Sequence, residues 1–310
     1  MVNPTSASVE ENTLLVIAGP TAVGKTSVSI AVARHFGCSI ISADSRQFFK
    51  ELKIGTAAPT TEQIAQAKHH FIGNLSLTDD YNVSRYEQEV LSLLPGLFNE
   101  NRLVVLTGGS GLYIKAVCEG IDELPDADPA IRESLFRKLE EVGLPGLRAM
   151  LQKSDPDYYR TVDLANPNRI IRALEVCLAT GKPYSGFRKQ EPAKRNFRIV
   201  KIGLDLPREQ LHLNINKRVD QMVAEGLEQE VRSLYPLRQL NSLNTVGYKE
   251  LFEYIEGKCS FQEAIEKIKT NTRRYARRQL TWFHKDREFV WCKPDAGEVI
   301  SLAEHLLKQN

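Results

Sequence analysis

Residues 13–26, TLLVIAGPTAVGKT, decide the fold. The first six are continuously apolar and include β-branched residues, as a strand buried on both faces of a parallel sheet requires. The next eight have the spacing G-x-x-x-x-G-K-T, and SVSIAVARHF behind them has apolar residues at helical spacing. Between a strand and a helix, this motif lets the backbone curl so that successive N–H groups point inward at phosphate oxygens. The helix N-terminus adds about half a positive charge. Lys25 reaches the terminal phosphate oxygens, and the Thr26 hydroxyl can ligate Mg²⁺. The motif specifies phosphate binding. It leaves open whether the phosphates belong to ATP or to another diphosphate.

Working outward, residues 39–43 form a second short strand ending at Asp44. Three roles are open to Asp44: a Mg²⁺-binding acid, a general base, or a helix N-cap without chemistry. Ser45 and Gln47 follow on the exposed turn and add hydrogen-bonding capacity. A third strand, residues 103–107, runs into Gly108-Gly109-Ser110-Gly111 and another helix. Glycine there allows close backbone approach to a ligand, or simply a tight turn. Strands alternating with helices mean a parallel α/β sheet with ligands at the carboxyl ends of its strands. From about residue 120 the pattern is helical, punctuated by proline and glycine, until a strand returns at 197–206. We therefore expect a P-loop NTPase-like core, its parallel sheet flanked by helices, from residues 12–119 and 200–310. An all-helical insertion domain would occupy 120–199.

The 310 residues carry 41 Lys+Arg against 39 Asp+Glu and are 42% hydrophobic, which excludes wholesale disorder. No apolar run approaches the roughly 20 residues of a membrane helix. The first twelve residues hold no Lys or Arg, so no leader peptide is expected. Cys38, Cys118, Cys177, Cys259 and Cys292 are scattered, without a CxxC pair, which argues against a zinc site or disulfide framework. These features suggest a cytoplasmic protein with no membrane partner. His69-His70 is a metal pair only superficially, because neighbours on an extended segment point to opposite faces.

The near-neutral total hides two basic stretches, at 185–201 (Lys189 among its six cations) and at 267–288. Ser260 and Glu263 form an S-x-x-E capping box, so a helix should begin there and run towards His284. At 100° per residue, Arg273, Arg277, Arg274 and Arg278 fall at about 0°, 40°, 100° and 140°. Ile265, Ile268, Tyr275, Ala276, Leu280 and Phe283 fall between about 200° and 340°. Trp282 lies on the seam, as core or as a stacking surface. Four arginines without nearby acids repel one another, and a polyanion such as an RNA backbone is a reason for them. Arg218, on a helix following the strand at 197–206, could reach the phosphate pocket or lie free on the surface.

These motifs together resemble those of the tRNA dimethylallyltransferase (tRNA isopentenyltransferase) family of bacterial type. GPTAVGKT (19–26), ISADSRQ (41–47), IGTAAP (54–59), HH (69–70), LTGGSGLYIKA (106–116), NPNRIIRALEV (166–176), KRVDQMVAEGL (217–227), TVGYKEL (245–251) and RRYARRQLTWF (273–283) match in order. The resemblance implies transfer of a dimethylallyl group from dimethylallyl diphosphate to N6 of the adenosine immediately 3′ of the tRNA anticodon. Gly19, Thr21, Ala22, Val23, Gly24, Lys25 and Thr26 would carry the diphosphate, with Mg²⁺ on Thr26. Asp44 would be the general base, and Lys25, Thr26 and Arg218 would complete the catalytic set. Asp44, Ser45, Arg46, Gln47 and Ser110 would meet the target adenosine and its surroundings. Asn168, Arg169 and Arg172 of the insertion, with Arg273, Arg274, Arg277 and Arg278, would contact the anticodon stem-loop, and the enzyme would act as a monomer. Departures from the family pattern are Ala58 in place of lysine, Phe48 and Phe49 where a tyrosine is usual, and Asn214 in place of arginine. Rival readings are a prenyltransferase acting on free AMP or adenine, a P-loop kinase, and a non-catalytic RNA-binding relative.

Overall fold

The apolar run forms β1 (Thr13–Ala18), buried along its whole length. Its side chains alternate between two covered faces. Leu14, Val16 and Ala18 enter one hydrophobic core, while Leu15 and Ile17 enter the other. The computed structural model describes residues 11–122, 124–125, 128–188 and 191–309. The start of the chain and Lys189, both used in the sequence reading, lie outside the described residues.

Around β1 are β2 (Ile40–Ser42), β3 (His69–His70), β4 (Leu103–Gly108), β5 (Arg198–Leu204) and β6 (Val290–Cys292). Their order is β3-β2-β4-β1-β5-β6, and every pairing is parallel. Ala18 is in register with Gly108 and Gly203, and Ser42 with Thr107. The loops after β1, β2, β4 and β5 therefore emerge along one edge. The parallel α/β core is the one expected from the strand–helix alternation. The two- and three-residue strands β3 and β6 were not expected, being too short to carry a period.

The helices of this core are α1 (Lys25–Phe36), α2 (Thr61–Ile64), α3 (Val83–Glu100) and α4 (Gly111–Glu119). Between them and the later core helices come α5 (Pro129–Ser154), α6 (Pro156–Thr161) and α7 (Pro167–Thr180), of a separate unit. The chain then returns to the core with α8 (Arg208–Ala224), α9 (Leu227–Leu234), α10 (Tyr248–Ile255), α11 (Phe261–Phe283) and α12 (Ala296–Lys308). Helices α1 and α12 cover one face of the sheet, through Val28, Val32, Val299 and Ala303. Helices α3, α4, α9, α10 and most of α11 build the core on the other. Helix α11 begins as its capping box predicts: Ser260 Oγ accepts the Glu263 N–H, and the Glu263 carboxylate accepts the Ser260 N–H.

The separate unit, Gly120–Ala193, packs α5, α6 and α7 around Leu135, Leu147, Leu151, Ile170, Ile171 and Leu174. Helix α5 breaks at Gly143 (φ 66°), just ahead of Pro145. The unit ends at Ala193, short of the expected residue 199. The reason is Arg195, which pairs with Glu87 at 2.6 Å and donates to the Val117 and Ala116 carbonyls, tying its segment to the sheet-bearing unit. Among the described residues, no helix is long and apolar enough to cross a membrane.

Candidate active site

The loop after β1 is shaped by residues that hold left-handed or crowded backbone. Gly24 caps α1 at φ 106°, and Ala22 also takes a positive φ, 62°. A side chain on Gly19 would reach within 2.6 Å of the Leu204 carbonyl on the adjacent strand. Lys25 folds back over the loop and donates to the carbonyls of Gly19 (3.0 Å) and Pro20 (2.8 Å). Burial pushes its pKa down to about 8; the Asp44 carboxylate partly restores it, and the Arg218 charge lowers it further. Thr26 lies in the first turn of α1, and its hydroxyl makes no hydrogen bond among the described residues. It is free to ligate a cation beside a bound phosphate. Among the described residues, no group of three His, Cys, Asp or Glu side chains could hold a metal. A Mg²⁺ ion here would therefore take Thr26 and phosphate oxygens as ligands, a donor set that hard cation accepts.

At the end of β2, Asp44 organises a turn. Its Oδ1 accepts the Arg46 N–H (3.1 Å), and its carbonyl accepts the Gln47 N–H (3.1 Å). Ser45 donates its N–H to Ser110 Oγ at 3.0 Å, and the Ser110 N–H donates to the Ala43 carbonyl at 3.2 Å. The Asp44 turn and the glycine turn after β4 are thus stapled together. Arg46 reaches the Ser242 carbonyl at 3.1 Å. Gln47 Nε2 donates to the carbonyls of Thr56 and Ala57, both at 3.2 Å. Arg218 donates to the same Thr56 carbonyl at 3.2 Å, which brings it inside the pocket rather than onto the free surface. Burial lowers the Arg218 pKa, against the pull of Asp44.

The Thr56 carbonyl is itself held in place by residues that pattern reading missed. One Glu230 carboxylate accepts the N–H groups of Lys53, Ile54 and Gly55 (3.1, 2.8 and 2.9 Å) and the Tyr248 hydroxyl (2.6 Å). Gly55 can have no Cβ, because one would sit 2.6 Å from the Tyr248 ring. No local signal links Glu230 to a loop so distant in the chain.

Along α11, Arg274, Arg277 and Arg278 are exposed. Arg273 is half-buried and donates to Asn216 Oδ1 at 2.8 Å. None of the four forms an ion pair among the described residues. Tyr275, placed at the rim of the apolar arc by its helical angle, is instead 37% exposed, with Arg278 over its ring at 5.8 Å. Desolvation first and the Asp44 carboxylate second push its hydroxyl up to about 12. Trp282 is 40% exposed and lies against Gly111, where a Cβ would collide with its indole. Gln279, in the apolar arc and 6% exposed, bridges two loops: it accepts the Thr21 N–H at 2.9 Å and donates to the Gly109 carbonyl at 2.8 Å. A polar residue amid an apolar arc was the signal for it.

In the helical unit, Asn168 and Arg169 are exposed in the first turn of α7. Arg172 is committed internally, to the buried Glu175 (2.9 Å) and the Pro125 carbonyl (2.8 Å). Among the departures from the family pattern, Phe48 is buried and stacks on Tyr86 at 5.2 Å. Asn214 donates to the Ala22 carbonyl at 3.4 Å, a neutral contact with the phosphate loop. His69 Nδ1 is bonded to the Ala67 carbonyl in the edge strand, and nothing in the structure gives Ala58 a role.

A phosphate loop at the carboxyl edge of a parallel sheet, with a carboxylate just after β2 and an arginine face on α11 without ion pairs among the described residues, defines a P-loop protein. The particular family follows from comparison. The family model described as IPP transferase matches residues 47–286, and the chain belongs to that family. It is 54% identical over 284 residues to the tRNA dimethylallyltransferase of Christiangramia forsetii, covering 92% of this chain and 94% of that protein. It is 53% identical over 298 residues to tRNA dimethylallyltransferase 1 of Bacteroides thetaiotaomicron, covering 96% of each. The crystal structure of the full-length tRNA isopentenylpyrophosphate transferase of Bacillus halodurans superposes with a TM-score of 0.69 at 35% identity, covering 96% of each chain.

Proposed function

We propose that this chain is a tRNA dimethylallyltransferase. It transfers the dimethylallyl group of dimethylallyl diphosphate to N6 of the adenosine immediately 3′ of the anticodon and releases pyrophosphate. The observation that carries the reading is that Arg218 and the Asp44 turn converge on the phosphate loop: Arg218 and Gln47 share the Thr56 carbonyl, and the Asp44 and Arg218 charges both act on Lys25. That arrangement suits a reaction in which an anion departs while a proton is taken up nearby.

In the reaction, the N6 lone pair attacks the allylic carbon as the bond from that carbon to the diphosphate oxygen breaks. The bonding electrons leave with pyrophosphate, and the N6 proton passes to Asp44. An exocyclic adenine amine is a weak nucleophile, so base and leaving-group stabilisation are both needed. The N–H groups of the loop and the Arg218 guanidinium would receive the developing charge. Lys25, satisfied by the Gly19 and Pro20 carbonyls in the free protein, would exchange them for phosphate oxygens. A Mg²⁺ ion on Thr26 would neutralise part of the diphosphate charge. Ser45, Arg46, Gln47 and Ser110 would position the adenosine displaced from its stack. The exposed arginines of α11 and Asn168 and Arg169 of the helical unit would bind the stem-loop backbone, in a cytoplasmic, monomeric enzyme. Arg172, tied to Glu175, would act by holding that unit's fold.

The test offers two acceptors to the protein with dimethylallyl diphosphate and Mg²⁺: an anticodon stem-loop with adenosine after the anticodon, and free AMP. Mass spectrometry should find C5H8 added to the stem-loop and none on AMP. Product on AMP would move the assignment to small-nucleotide prenyl transfer.

A further inference from the structure

Building on that reading of the phosphate loop, we propose that Gln279 is a positioning residue that sets the loop's entry geometry from the RNA-facing helix. Its amide lies among Ala276, Leu280 and Phe283 of α11, on a face that otherwise packs apolar side chains. Burying an amide there is unfavourable unless both ends are bonded, and both are. The Thr21 N–H can only donate and the Gly109 carbonyl can only accept, so the partners fix the amide's orientation. Among the described residues, neither partner has another hydrogen bond. Gly109 leaves the space that the amide occupies, since a Cβ on it would displace the Gln279 amide nitrogen.

The consequence lies one residue further on. Ala22 holds a left-handed backbone that a non-glycine residue adopts only when its surroundings impose it. Gln279 restrains the Pro20–Thr21 peptide, through the Thr21 N–H, and Asn214 restrains the Ala22–Val23 peptide, through the Ala22 carbonyl. The two bonds bracket Thr21 and Ala22, just ahead of the N–H groups of residues 23–26 that the proposed phosphate site uses. The same amide joins the loop to the glycine turn that carries Ser110, whose hydroxyl holds Ser45 next to Asp44. A single side chain therefore registers the diphosphate site against the adenosine site.

The test uses the full chain and Mg²⁺-pyrophosphate as the probe, titrated calorimetrically into wild type, Q279M and Q279N. Met keeps the volume and removes both hydrogen bonds; Asn keeps an amide but falls one methylene short of bridging. Two hydrogen bonds of ordinary net strength bound the effect at roughly thirty-fold, and the pyrophosphate Kd should rise by about ten-fold. Stem-loop affinity should stay within about two-fold, because Gln279 faces inward and none of the four arginines changes. A lowered Tm with unchanged pyrophosphate affinity would overturn the proposal and leave Gln279 a packing residue. Should Q279M fail to fold, Q279N decides by the same criterion. Wild type that binds no pyrophosphate would overturn the reading of the phosphate loop itself, a result distinct from equal binding by wild type and variants.

Discussion

The two glycine-rich turns at the edge of the sheet look alike in sequence and are built for different neighbours. In the loop after β1, Gly24 holds a left-handed φ with no atom closer than 3.5 Å to a Cβ placed on it, Gly19 gives way to the Leu204 carbonyl, and Lys25 folds back over the backbone. In the turn after β4, the glycines are crowded by the protein itself: the Ala43 backbone at Gly108, the Gln279 amide at Gly109 and the Trp282 ring at Gly111. The first turn takes glycine at its helix end for backbone conformation, whereas the second gives its room to α11 and to the residue after β2. Close approach explains Gly19 and the second turn, a left-handed backbone explains Gly24, and spacing alone cannot distinguish the two causes.

The largest expected effect falls on Asp44, whose turn is stapled to the glycine turn after β4. D44A should cut single-turnover prenyl transfer by about 10²–10⁴, the usual range for a general base. Pyrophosphate affinity should be retained, as measured by calorimetry. Full turnover would remove Asp44 from the chemistry. Next, R274A/R278A should weaken stem-loop binding and lower the slope of log K against log salt by about two, roughly one per lost phosphate contact. An unaltered slope would separate α11 from RNA.

A third effect is set by Lys25. Its pKa of about 8 in the free protein means that above pH 8 the side chain is neutral before the anion arrives. Binding a diphosphate then requires proton uptake, so pyrophosphate affinity should fall by up to about ten-fold per pH unit above 8. K25R should flatten that profile. The same depressed pKa means the unfolded chain binds more protons between about pH 8 and 10.5, so this group's contribution to stability rises with pH there. The smallest effects contrast the turns directly. G111A should lower stability by about 1–3 kcal/mol through overpacking against Trp282, with pyrophosphate affinity unmoved. G24A meets no atom closer than 3.5 Å, so its penalty is the left-handed backbone, about 1–2 kcal/mol, and it should weaken pyrophosphate binding. If the two variants exchanged these signatures, the contrast between the turns would be wrong.

Much of the fold was legible because its signals are local. The buried run of β1, the strand-to-helix glycine turns and the Ser260–Glu263 capping box each specify structure within a few residues. What stayed hidden depends on partners far along the chain. Helical angles put Tyr275 with the apolar residues, although its neighbours leave it exposed beside Arg278. Arg172 reads as one more cation until Glu175 and the Pro125 carbonyl are placed around it. Glu230 carries no motif, yet three N–H groups of the loop that meets Arg218 end on its carboxylate. The position of Arg218 was undecidable from spacing, because the Thr56 carbonyl that receives it is presented by that same distant carboxylate. Gln279 alone left a trace, a polar residue at about 240° on an otherwise apolar arc.

Residues 19–26 have the spacing of an ATP loop, and in the proposed reaction they serve a prenyl donor. The most direct measurement puts dimethylallyl diphosphate and ATP together in one reaction with the protein, Mg²⁺ and the anticodon stem-loop, and weighs the products. Prenyl transfer should give RNA heavier by C5H8, pyrophosphate released in equal amount, and ATP left intact. Formation of ADP with a phosphorylated product, and no prenylated RNA, would contradict it.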